Sequence, residues 1–200
     1  MARIIIPIGK SLGPIQDEKK DIDHFELLIG GEIEDLTELE WGTWNVAHSD
    51  TDAHRDLKFD RERLISTTLD ITDSVDRLQI EEAIRKLLAV GAIVEIEPKD
   101  GELEKFFKQH LMVPSAIAHG SSPEDPDLFR IGDASGDWAD VDGWERPIWA
   151  VSFYYNSMWY ICEQLAENSE GESSSTVAMA TLPSILILNS LFLGHLEPAR

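Results

Sequence analysis

Cations are scarce in this 200-residue chain: 17 Lys and Arg stand against 38 Asp and Glu, a formal net charge of −21. That balance argues against nucleic acid or an anionic membrane as the partner, because phosphate rewards Lys and Arg. The deficit deepens along the chain. From residue 120 onward there are 13 acids and three bases (Arg130, Arg146 and Arg200), and the last lysine is Lys108. Cysteine is nearly absent as well. Cys162 is alone, which excludes an intramolecular disulfide or a thiolate metal cluster and implies no oxidising compartment. Gly-x-Ser-x-Gly, Walker and Gly-x-Gly-x-x-Gly motifs are missing, and no two of the six histidines form a His-x-x-x-His pair. No local signature of catalysis, cofactor or metal is therefore present.

Long hydrophobic runs are missing too. The opening apolar stretch is too short for a signal-peptide core. Only Ser173 to Leu196 lacks Asp, Glu, Lys and Arg over a length comparable with a bilayer, and Thr181, Pro183, Ser184, Asn189, Ser190 and Gly194 interrupt it. With Pro183 in a first turn and Gly194 as a C-terminal cap, the spacing predicts a helix over Pro183 to Leu193. At 1.5 Å per residue it spans about 16 Å, half a hydrocarbon core. Leu182, Ile185, Leu186 and Phe192 make it a core helix or a homodimer contact. The expectation is a cytoplasmic protein with no membrane partner.

What is present reads as a globular chain, 42% hydrophobic and 28% charged. Arg3 to Ile8 reads as a strand, and Phe25 to Ile29, closed by Gly30-Gly31, as a second. Thr37 with Glu40 three residues on is a capping box opening a helix that runs to about His48. Asp60 caps a second helix over Arg61 to Leu69, and Asp73 or Ser74 caps a third. In that third helix Ile80, Ala83, Ile84, Leu87 and Leu88 share one face. Gly91 ends it, and Ala92 to Ile96 alternates into a strand. Three segments follow: residues 1–110 with most of the pattern, a loop-rich linker over 111–145, and a helical region over 146–200. A short helix, Gly101 to His110, leads into the linker. The fold class is α+β.

Leu36-Thr37-x-x-Glu40-x-x-x-Trp44, together with Leu87 through Val94 as a helix-to-wing junction, resembles the winged-helix superfamily over roughly residues 34–98. The resemblance implies a fold, not one function. It places the third helix in a DNA major groove. Asp73, Ser74, Asp76, Arg77, Gln79, Glu81 and Glu82 at its start nevertheless carry four acids and one arginine. The strand beyond adds Glu95, Glu97 and Asp100 against Lys99. The reading is thus a non-catalytic binding protein for a basic peptide or protein, such as an accessory subunit of a bacterial biosynthetic or regulatory complex. Its binding residues are Asp76, Arg77, Gln79, Glu82 and Glu95, with the sheet edge accepting a partner strand beside the helix. One alternative is a DNA-binding regulator in which Arg61, Arg63, Arg77, Arg85 and Lys86 cluster. Another is an enzyme with a dispersed site drawing on His48, His119, Asp133 or the aromatics.

Remaining constellations read as structural. The loop from Gly132 to Gly143 is rich in oxygen ligands, but Trp138 stands where a calcium loop needs glycine. His48 and His54 flank Asp50 and Asp52 at a helix end, where polar residues occur without metal. Cys162 reads as buried and inert. Trp138, Trp144, Trp149, Phe153, Tyr154, Tyr155, Trp159 and Tyr160 read mainly as core.

Overall fold

In the computed structural model, which describes residues 2–169 and 171–199, the N-terminal strand β1 (Ile4–Pro7) is buried throughout. A meander of β2 (Lys10–Gln16), β3 (Ile22–Ile29) and β4 (Glu32–Leu36) follows, with sheet order β2-β3-β4. The second expected strand is the middle of this meander. Its neighbours were not expected, because both are mostly polar and exposed. Phe25, Leu27 and Ile29 alternate inward, and Phe25 stacks on Trp41 at 4.4 Å.

Helix α1 (Glu38–Val46) starts at the Thr37–Glu40 capping box. A short α2 (Thr51–Arg55) and then α3 (Arg61–Ile71), capped by Asp60, lead to α4 (Arg77–Ala89). The cap of α4 is Asp76, not Asp73 or Ser74: its carboxylate accepts from the Gln79 N–H at 2.9 Å, and the Gln79 side chain returns a bond to the Asp76 N–H. Ser74 instead takes a left-handed φ of 68° in the turn before it. Gly91 turns the chain at φ 75° into β5 (Ile93–Ile96), which pairs antiparallel with β1. On the other side of β1, Ile5 donates to the Phe59 carbonyl at 2.8 Å.

Helix α5 (Asp100–Gln109) comes next, within one residue of its expected bounds. The stretch read as a loop-rich linker is instead strand-rich. It forms β6 (His110–Pro114) and a second meander, β7 (Ile117–Ser121), β8 (Phe129–Gly132) and β9 (Trp138–Val141). Polar strands hid there because the sheet is held largely by Arg130, which bonds Asp140, Glu124 and Ser122 and lies 4.8 Å over the Trp138 ring. The Asp133 loop is the β8–β9 turn, its carboxylate accepting from the N–H groups of Ser135, Gly136 and Asp137.

Helices α6 (Glu145–Val151), α7 (Met158–Glu167) and α8 (Ser174–Ser190) complete the chain with β10 (Gly194–Pro198), which pairs with β6. The last helix begins nine residues before Pro183, which lies inside it, and Gly194 opens a strand instead of capping the helix. Eleven of its 17 residues are buried, including Thr181, Ser184, Asn189 and Ser190. It packs against α2, α5, α6 and α7. Its apolar surface is thus largely covered within one chain. No helix among the described residues is long and apolar enough to cross a membrane. The fold is α+β, with one continuous core running from β1 to Leu196.

Candidate functional site

Strand β4 is an edge strand, and α4 lies beside it. The link is Lys86, whose ammonium reaches the Asp35 carbonyl at 3.3 Å and the Glu40 carboxylate at 2.9 Å. In an antiparallel pair the backbone groups point alternately to either side. The outward Asp35 carbonyl therefore puts the N–H and C=O of Ile33 on the open edge also, while Glu32, Glu34 and Leu36 bond to β3. Ile33 is half exposed. Glu82 lies one helical turn before Lys86 and is exposed. On the strand Glu32, Glu34 and Asp35 are acidic, and Lys86 is the cation that the helix brings to it.

On the outer face of the same meander, His24 and Glu26 are two residues apart on β3, and Asp35 is paired with Glu26. Their ligand atoms lie within 4.8 Å of one another. His24 also bonds the Asp23 carboxylate at 2.9 Å through Nδ1. The hydrogen bond to Asp23, reinforced by the charge of Asp35, raises the His24 pKa above its ordinary value. Such a group can hold a divalent cation or a partner's ammonium.

The five residues expected to bind fall into different roles. Asp76 and Gln79 close the α4 cap on each other. Arg77 is held by Glu62 at 2.5 Å and Glu81 at 2.7 Å. Glu95 is taken by Arg61 at 2.6 Å, and the Arg3 guanidinium bonds its carbonyl. Glu82 is left exposed to solvent. Four of the five cations that a phosphate stripe would draw on are occupied, Arg61 by Glu95, Arg63 by Asp50, Arg77 by Glu62 and Lys86 by Glu40, and the fifth, Arg85, is exposed. Sequence gave no sign of these pairings, since their partners lie 13 to 46 residues away.

No protein-family model matches the chain, and neither a curated protein nor a solved structure matches it.

A second cluster was not anticipated. The outer face of the β6–β10 ribbon carries His195 and Glu197 opposite Val113 and Leu111. It floors a cavity of about 480 Å³ walled by Leu28, Pro114, Phe153 and Tyr155. His195 Nε2 lies 3.5 Å from Glu197 Oε1, and its Nδ1 lies 2.8 Å from Ser115 Oγ. Burial, with the Lys10 ammonium adding to it, pushes the His195 pKa down to about 4, so the ring is neutral at pH 7. The alternation His-x-Glu on a strand was the available signal. Nothing local pointed to Ser115.

Other sequence readings resolve plainly. His48 and His54 are buried and bond the Trp44 and Ala47 carbonyls. His119 contacts the Asp133 carbonyl at 3.1 Å. Cys162 is buried, and burial pushes its thiol up to about 11. Of the aromatic series, Trp149 and Trp159 are core, whereas Trp138, Trp144, Phe153, Tyr154 and Tyr160 are exposed. The core reading of that series was too broad, because α6 and the turn after it expose one side.

Proposed function

We propose that this protein is a binding protein that takes an extended basic segment of a partner onto the open edge of β4, flanked by α4. The observation that carries the reading is the Lys86 bridge, which sets the helix alongside a strand whose outward backbone groups face it. Main-chain bonds to the Ile33 and Asp35 edge would supply affinity, and the flanking side chains would supply selectivity. Glu26, Asp35 and Glu82 line or adjoin that edge, and the chain carries a net charge of −21, so a cationic segment fits best. Lys86 would swing aside or pair with the partner's own carboxylate. The winged-helix resemblance is compatible with this use of the third long helix, though the strand engaged is β4 rather than the one after the helix. Ion pairing of Arg61, Arg63, Arg77 and Lys86 weighs against the DNA-binding alternative.

The test is titration of a fluorescent alternating Lys-Val peptide. Binding should weaken and associate more slowly as salt rises. Ile33→Pro deletes an outward N–H without removing a β3 ladder bond, as an edge strand tolerates, and should cut affinity at least tenfold with the circular dichroism unchanged. Affinity equal to wild type in a folded Ile33→Pro protein would remove β4 as the docking edge.

A further inference from the structure

Ser115, His195 and Glu197 come from the two ends of the β6–β10 ribbon. Ser115 follows β6, and the other two alternate along β10, so the hairpin-like pairing brings together side chains 80 residues apart. His195 also lines a second, smaller cavity of about 160 Å³. Its walls include Ser115, Lys10, Trp44, Phe192 and Gly194. The serine is exposed, its hydroxyl aimed at an imidazole nitrogen, and the glutamate behind that imidazole is buried.

We propose that Ser115 and His195 are the nucleophile and general base of a site that hydrolyses short-chain carboxylic esters, with Glu197 as the positioning residue for the imidazole. The step needs one tautomer of the ring. The Glu197 carboxylate lies 3.5 Å from Nε2, a charge contact and not a hydrogen bond, and it favours a proton on Nε2; in that tautomer Nδ1 is left to accept the Ser115 proton. The ring is used in the sense opposite to the familiar serine–histidine–acid arrangement, where the serine meets Nε2. The chemistry asks only that one ring nitrogen accept while the other is held.

The steps balance with water as the sole co-reactant. Ser115 Oγ attacks the ester carbonyl carbon as its proton passes to His195 Nδ1, and the carbonyl π electrons move to oxygen. Lys10, at the cavity wall, supplies positive charge to that oxyanion. Collapse expels the alkoxide, which takes the proton from His195, leaving an acyl-serine. Water then attacks the acyl carbon, gives its proton to His195, and the second collapse returns it to Ser115 and frees the acid. The small cavity sets the acyl size. A space of about 160 Å³ beside Phe192 and Trp44 favours a short acyl group over a long one.

This inference uses a different face from the peptide edge, and its test is separate. The intact protein is incubated with an alkyl fluorophosphonate and digested, and the labelled peptide is located by mass spectrometry. Turnover is measured in parallel with p-nitrophenyl acetate, butyrate and octanoate. The expected result is a single label on Ser115, saturable hydrolysis of acetate and butyrate, and at least tenfold slower octanoate turnover. Ser115→Ala and His195→Ala should each lose at least 100-fold in kcat, with unchanged circular dichroism. Glu197→Gln, which keeps an acceptor for the Gly30 N–H, should lower kcat about tenfold with KM unchanged. No label on Ser115, or hydrolysis that survives Ser115→Ala, overturns the proposal. Should Ser115→Ala fail to fold, Ser115→Thr and the labelling of wild type decide it.

Discussion

The Asn189 side-chain amide donates to the Pro7 carbonyl at 3.0 Å, joining α8 to β1 across 182 residues of sequence. Both groups are buried, and Asn189 Oδ1 has no partner among the described residues. Asn189→Leu should therefore cost about 1–3 kcal/mol, since it strands the Pro7 carbonyl while also deleting an unsatisfied oxygen. Urea denaturation with an unchanged m-value checks it. A neutral effect would mean that the carbonyl is reached by water.

Asp76 holds the start of α4. Asp76→Ala should destabilise the protein by about 1 kcal/mol, the ordinary worth of an N-cap. Charge reversal at Asp76 should cost more, because a cation then meets the positive end of the helix dipole. Glu82→Lys, on the exposed face of the same helix, should leave the denaturation midpoint within about 0.5 kcal/mol of wild type.

Acid should weaken the fold through its histidines. Burial holds His48 down to about 3 and His195 to about 4, and lowers His54 and His110 as well. A histidine whose native pKa is depressed contributes stability above its unfolded value of about 6.5, and loses it as pH falls toward the native value. Stability should thus decline from pH 6.5 toward pH 3, at up to about 1.4 kcal/mol per pH unit for each such group. His48→Asn keeps a donor for the Trp44 carbonyl and should flatten the slope measured by urea titration between pH 7 and 4.

Glu145 has the opposite sense. Its burial and its contact with Asp142 raise its pKa. The native state then holds a proton that the unfolded chain releases, so stability falls as pH rises from about 4.5 through the native value. Glu145→Gln keeps an acceptor for the Asp142 N–H and should raise Tm by a few degrees at pH 7 and much less at pH 4. Equal changes at both pH values would show that the effect is not ionic.

Where a local pattern decides an element, the sequence was legible. The Thr37 box, the Asp60 cap, the apolar stripe of α4 and the Gly91 turn all concern contacts within a few residues, and each stands where expected. Strands β2, β4, β7 and β9 were missed because their exposed residues carry no alternating apolar signal. Pro183 misplaced the start of α8 because tertiary packing on four neighbouring helices overrides its preference for a first turn. At the candidate edge, Glu82 was legible as an exposed acid. Lys86 and Ile33 were not, because their meaning lies in the adjacency of a strand and a helix 51 residues apart.

Chain order makes β1 a late arrival. Ile4–Ile8 leave the ribosome before their partners, which emerge at Phe59, at Ala92–Ile96 and at Asn189, and Gly9 waits for Leu196. Closure of loops that long is slow. Until then four nearly consecutive isoleucines travel without their sheet, a segment that chaperones and neighbouring nascent chains can both seize. The strand is made before every element that shields it.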